Sequence, residues 1–344
     1  MSVPDDRDDV KIADGIDEEA VESNRRLFSG KTLVIISLAA AFYAAFHMAA
    51  LNGLSISRLT GGAVDLPFLP RLPMETWNFR IVHVTGALIL GFLLYAGATS
   101  DDEGKGSGGV RTAAMVLMLP ALVALGAAIS FAIDIASGAL WNGIDPGVRA
   151  REIWWFGVPL LMATIGGIIA SWYDRQPRDG LSLPDFVLSV CAIAVAVYLI
   201  TLFGTPMRNS TGTPFAPIGM SLAALAGSLL IMELTRRVAG YALVVIALIF
   251  LAYVFGAPAL PGFLKAPPVT WERFFSQIYT DVGILGPTTA VSSTYIILFV
   301  IFAAFLQASK VGDYFVNFAF AAAGRSRGGP AKVAVFASGL MGMI

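Results

Sequence analysis

TRRVAGYALVVIALIFLAYVFG, residues 235–256, decides the fold. From Val238 to Gly256 it carries no charge, and two arginines stand immediately before it. A helix rises about 1.5 Å per residue, so roughly 20 apolar residues cross the hydrocarbon core of a bilayer. The run therefore reads as a membrane span, Val238 to Gly256. A second span, Ala216 to Thr235, precedes it, and the tight turn between them holds Arg236 and Arg237. Basic residues near span ends favour the cytoplasmic face, so this pair fixes the direction of both helices.

The whole chain agrees with that reading. It has 344 residues, 56% of them hydrophobic and 14% charged, and a mean hydropathy of +0.74. Soluble domains carry about 25% charged residues. A chain this apolar cannot cover itself with polar groups, so its main solvent is the lipid bilayer. The net charge is −1, and no basic stripe supports nucleic-acid binding. The single cysteine, Cys191, lies in an apolar run; it excludes an internal disulfide and reads as a small buried hydrophobe.

Six further spans follow from the same length rule: Thr32–Asn52, Trp77–Ala98, Thr112–Ala136, Ile153–Tyr173, Asp185–Gly204 and Thr289–Ser309. The fold class is thus all-α, a polytopic helical integral membrane protein with about eight transmembrane helices. Pro120 should kink the third span. With the N-terminus in the cytoplasm, the inner ends carry Arg25, Arg26, Lys31, Lys105, Arg111, Arg175, Arg178, Arg236, Arg237, Lys310, Arg325 and Arg327. The outer loops carry Arg58, Arg71, Arg149, Arg151, Arg208, Lys265 and Arg273, a bias of twelve to seven. Residues 1–30 are acidic and nearly free of large apolar groups, and they read as a disordered cytoplasmic tail rather than a signal peptide.

Two segments look interfacial. In WERFFSQIYTD, Trp271, Phe274, Phe275, Ile278 and Tyr279 share one helical face, and Thr270 is a plausible N-cap. This helix is too short to span and should lie along the membrane surface or against other helices. VGDYFVNFAFAAAGR has Asp313 near its start and Arg325 past its end, the polarity a helix dipole favours. After it the chain turns at Gly328-Gly329-Pro330 and re-enters apolar sequence. Small residues there (Ala331, Ala334, Ala337, Ser338, Gly339, Gly342) allow close packing and a helix break at mid-depth, as in a re-entrant hairpin. An ordinary ninth span fits the spacing as well.

Few side chains carry obvious chemistry. His47 and His83 both fall roughly 8–9 Å below the outer boundary, a possible polar intramembrane pair; two ligands are too few for zinc, and hydrogen-bonded bundle histidines are the plainer reading. Glu75 and Arg80 flank the outer start of the second span as interfacial anchors. Asp134 and Glu233 lie near span ends, where ionisable groups are usually wet, though intramembrane charge is a functional candidate by default. Val291-Ser292-Ser293-Thr294 is hydroxyl-rich and suited to gluing helices together. There is no phosphate loop, nucleophile elbow or metal-ligand helix motif, so no catalytic or metal-binding residue and no bound cofactor is expected.

Residues 281–344, above all AFLQASKVGDYF, GRSRGGPAKVAV and ASGLMGMI, resemble the large membrane (M) subunit of TRAP transporters, the tripartite ATP-independent periplasmic carriers. ETWNFRIVHVTGALILGFLLYAG, residues 75–97, is similar to a helix of the small (Q) domain. The opening stretch, with Thr235, Arg236 and Arg237, is similar to the start of the M domain in fused permeases of the TAXI type. The resemblance implies a Q-like four-helix scaffold over 31–180, a connector helix over 181–212, and the N-terminal part of an M-like subunit over 213–344. Residues 311–326 would then be a horizontal arm, and 329–344 the first limb of a re-entrant hairpin.

By the same resemblance the protein is a permease of the bacterial inner membrane, not an enzyme. It would import small organic anions such as carboxylates, driven by sodium and fed by a periplasmic substrate-binding protein, through elevator-like alternating access. Ser338, Gly339 and Gly342 are the residues expected nearest the substrate or ion path. M domains continue beyond the equivalent of residue 344, so the chain is expected to be a C-terminally truncated fragment, inactive alone. Two other classes fit the sequence: a non-transporting membrane scaffold made of the Q part, and an intramembrane enzyme built on His47 and His83.

Overall fold

The apolar runs fold as helices because a backbone in lipid must satisfy its own hydrogen bonds. The structure, a computed structural model, describes residues 24–53, 60–61, 76–97, 108–138, 145–173, 180–325 and 327–342. In chain order the helices are α1 (Gly30–Leu51), α2 (Thr76–Leu94), α3 (Gly108–Met118), α4 (Ala121–Ala136), α5 (Pro146–Trp172), α6 (Leu183–Phe203), α7 (Ile218–Ala239), α8 (Tyr241–Gly256), α9 (Trp271–Ile278), α10 (Pro287–Ala308), α11 (Val311–Ala323) and α12 (Gly329–Gly342). Among the described residues eight helical runs are long and apolar enough to cross a membrane, with α3 and α4 counted together. The fold is all-α and polytopic; the only β pairing described is an isolated bridge between Arg25 and Tyr95.

Three of the boundaries that differ from the sequence reading have a clear local reason. Helix α5 starts at Pro146, not Ile153: Asp145 caps it by accepting from Gly147 N at 2.7 Å, and Pro146 occupies the first turn. This draws Arg149, Arg151 and Glu152 into the helix, ahead of its apolar part. A π-helical turn, Glu152–Gly157, follows. Helix α7 runs on to Ala239, so Arg236 and Arg237 sit in its last turn and not in a loop. The turn to α8 is Gly240 alone, at φ +78°, a conformation that favours glycine. At Pro120 the third span does break, into α3 and α4, as proline demands.

The chain packs as two units. The first holds residues up to Ala40 and Thr76–Gly286; the second holds Ala41–Glu75 and Pro287–Ile344. In the first, α6 is the centre, packed against α2, α4, α5 and α7. Phe156 stacks on Tyr198 with ring centroids 4.3 Å apart, and Phe131 meets both edge-on. Helix α9 answers the question left open for WERFFSQIYTD: it packs along α7. Its Thr270 cap forms, Phe275 and Tyr279 are buried, and the Ser221 hydroxyl donates to Glu272 O at 2.7 Å. Gly227 of α7 makes room for the Tyr279 ring; a Cβ there would lie 2.7 Å from it.

In the second unit α11 and α12 pair through Ala319, Val333 and Ala337, with Phe318 and Phe336 6.2 Å apart. Lys310, in the left-handed region at φ 55°, turns the chain from α10 into α11. Helix α12 is unbroken from Gly329 to Gly342, so no break falls within the described part of the expected limb.

Candidate functional site

The most polar interior of the first unit is where four helix ends and the N-terminal segment converge. Asp185 is three residues past Ser182, the N-cap of α6. Ser182 gives its hydroxyl to Asp185 Oδ2 at 2.7 Å. Arg237 Nη1 donates to Oδ1 at 2.6 Å, and Arg26 Nη2 also donates to Oδ2. One helical turn before Arg237, Glu233 collects five donors. Arg236 Nε, Arg236 Nη2 and Arg237 Nε stand at 2.8 Å, the Ser171 hydroxyl at 3.1 Å and Trp172 Nε1 at 3.2 Å. Arg237 also lies over the Phe92 ring, 5.0 Å from its centroid.

Backbone groups complete this knot. Arg237 Nη1 donates to Tyr95 O at 3.0 Å, and Arg236 Nη2 to Gly97 O at 2.6 Å. Asn24 Nδ2 donates to Arg237 O at 3.1 Å, and Arg26 N to Leu94 O at 2.8 Å. Residues 24–26 of the expected 1–30 tail are therefore docked; residues 1–23 lie outside the described part. Arg26, Asp185, Glu233 and Arg237 are all buried. Three guanidinium groups face two carboxylates, so every charge has a partner of opposite sign. Buried ion pairs add little stability compared with apolar packing, but removing one partner strands the other at high cost. The knot joins the ends of α2, α5, α6 and α7.

A third buried carboxylate lies near the other end of these helices. Glu152 is fully buried, accepts from the Tyr198 hydroxyl at 2.6 Å and from Gly219 N at 3.3 Å. Asp185 and Tyr198 are thirteen residues apart on α6, about 20 Å along the axis. The two polar sites thus bracket the apolar core, tying α5, α6 and α7 at both ends. Nearer the surface, Arg151 pairs with Asp134 at 2.9 Å and Arg149 with Glu272 at 3.4 Å, exposed pairs worth at most about 1 kcal/mol each. Tyr279, outside the spans, is buried and its phenol is pushed above the ordinary range, so it stays neutral.

The residues singled out by sequence fare unequally. Glu233 is buried and fully engaged, not a wet helix end, while Asp134 sits in an exposed ion pair. Arg80 reaches inward to Leu285 O at 2.6 Å; Glu75 lies outside the described residues. Cys191 is buried in the core of α6. His47 contacts Tyr43 O through Nδ1 at 2.8 Å and meets the rings of Tyr43 and Phe46 edge-on. His83 is buried on α2. The histidines fall in different packing units, so neither unit by itself forms a shared site. Ser293 and Thr294 turn their hydroxyls to Ala290 O on their own helix. Ser338, Gly339 and Gly342 lie on the exposed side of α12, away from its contact with α11. Among the described residues no group of three or more His, Cys, Asp or Glu gathers as a metal site would.

The sequence reading missed Asp185, Glu152 and Tyr198. A signal existed for Asp185: Ser182 followed three residues later by an acid is a helix-start signature. For Glu152 the signal was the Asp145-Pro146 start, which places it inside a helix.

The comparisons with known proteins follow the chain's second part. Residues 226–344 match the family model described as the tripartite ATP-independent periplasmic transporter, DctM component. The matched segment begins inside α7 and takes in Glu233, Arg236 and Arg237. No curated protein and no solved structure matches.

Proposed function

We propose that this chain is a TRAP transporter permease, the membrane component of a secondary, ion-coupled importer, a reading supported by the family match over residues 226–344. The matched family is one of transporters, not enzymes. The cargo we assign is a small organic anion of the carboxylate class, delivered by a periplasmic binding protein and driven by sodium. The membrane is the bacterial inner membrane, with the N-terminus in the cytoplasm.

The observation that carries this reading is the knot. It ties Arg26, Tyr95, Gly97, Ser171, Trp172 and Asp185, all before the matched segment, to Glu233, Arg236 and Arg237 within it. That is how a Q-like scaffold would be held to the start of an M-like subunit. The scaffold over 31–180, the connector over 181–212 and the M-like part over 213–344 are segments of ancestry; packing joins them across those borders. Arg26, Arg236 and Arg237 meet at one end, which favours a common cytoplasmic face for them.

The test is uptake into proteoliposomes holding the full gene product, with labelled carboxylates presented by their binding protein. Accumulation should require both the binding protein and an inward sodium gradient, and vanish when potassium replaces sodium. Uptake that runs without either would overturn the proposal.

A further inference from the structure

Helix α8 runs on through a 3-10 turn to Ala259, and the loop after it is built in an unusual way. The nineteen residues Tyr241–Ala259 reach about 28 Å, close to a hydrocarbon core of about 30 Å. It is also bare: only 6% of the Tyr241–Ala259 span is buried, as for a helix that meets lipid directly. The chain then makes two tight turns, Ala257–Ala259 and Gly262–Leu264, before Thr270 caps α9. Leu260 N bonds to Ala257 O at 3.1 Å, Lys265 N to Gly262 O at 3.2 Å, and Ala266 N back to Ala257 O at 3.4 Å. Four prolines (258, 261, 267 and 268) stiffen it, and Gly262 adopts φ +62°.

This ordered loop presents Phe263 with 95% of its surface exposed and Leu264 beside it. A rigid loop holding a bare phenylalanine in water would be poor design for a soluble surface. The Tyr253 hydroxyl supplies the placement. It donates to Leu264 O at 3.1 Å, drawing the loop back toward the last turn of the span. Tyr253 stands three residues before Gly256, about 4.5 Å below the helix end. Lys265 is the only charge between Arg237 and Glu272.

We propose that the 257–270 loop is a membrane anchor, with Phe263 and Leu264 seated among the acyl chains and headgroups of the leaflet at the C-terminal end of α8, and Lys265 on an anionic headgroup. The loop extends the apolar contact beyond the end of that span, and its occupant is lipid, not protein.

The experiment places a nitroxide at Phe263→Cys; Cys191 is buried, and the unsubstituted protein serves as the labelling blank. The protein is reconstituted in phosphatidylethanolamine with phosphatidylglycerol, and separately in phosphatidylcholine. Collisions with oxygen should exceed those with a water-soluble nickel chelate, at a depth of about 5–10 Å. The depth should be greater with the anionic lipid, and Lys265→Gln should remove that difference. A label open to nickel overturns the anchor. A label shielded from both reagents also overturns it, since a second copy or another protein would then cover the loop. Equal depth in both lipids overturns the role of Lys265.

Discussion

Helices α6 and α7 and helices α8 and α10 are all apolar enough to cross a membrane, yet 61% of each of the first pair is buried and only 6% of each of the second. Apolarity does not separate them, because lipid tails and protein interiors are equally good solvents for leucine. Two other features do. Helix α7 is rich in Gly, Ala and Ser (Gly219, Ser221, Ala223, Ala224, Ala226, Gly227), and these let backbones approach; α8 scatters Ala242, Ala247 and Ala252 among Leu, Val, Ile, Phe and Tyr, with no serine and glycine only at its end. The buried pair also carries Asp185, Tyr198, Glu233 and Arg237, polar groups that fix which neighbour each helix takes. Small residues permit an interior position and buried polar groups specify it.

The largest test of that contrast is Arg237→Ala. It strands Asp185 and Glu233 in the interior, and should cost about 3–5 kcal/mol, read as a lower unfolding midpoint of the purified protein in detergent. Tyr198→Phe should cost about 1.5–3 kcal/mol, since the buried Glu152 carboxyl loses its 2.6 Å donor. Gly227→Ala pushes a methyl against the Tyr279 ring and should cost about 1–3 kcal/mol, with Tyr279→Leu restoring part of it. In α8, Ile249→Ala should change stability by no more than about 0.5 kcal/mol, because Ile249 is exposed. A cost at Ile249 equal to that at Tyr198 would erase the distinction between the pairs.

Much of this was legible in the sequence. Uninterrupted apolar runs located all eight spans, Pro120 marked its break, and Thr270 capped α9 as its type suggests. The expected turn at 328–330 does separate two helices, with Gly329 and Pro330 already forming the first turn of α12. What the sequence concealed was which charged helix ends are dry. Glu233 and Asp134 look alike, one polar group near a span end, but Glu233 finds two arginines and Trp172 whereas Asp134 finds only Arg151 at the surface. Arg236 and Arg237 were visible as markers of direction, yet their partner Asp185 lies 52 positions from Arg237, a distance that helical periodicity cannot bridge. Glu152 was hidden because its helix starts before its apolar run does.

The knot between the scaffold-like part and the transporter-family segment is tested most directly by a double-mutant cycle on Asp185 and Arg237. Asp185→Asn, Arg237→Gln and the double variant would be compared by equilibrium unfolding in one detergent. The pair, in contact at 2.6 Å and sharing a network, should show a coupling of about 1–3 kcal/mol. Additive losses, within about 0.3–0.5 kcal/mol, would mean that the two residues do not hold the segments together.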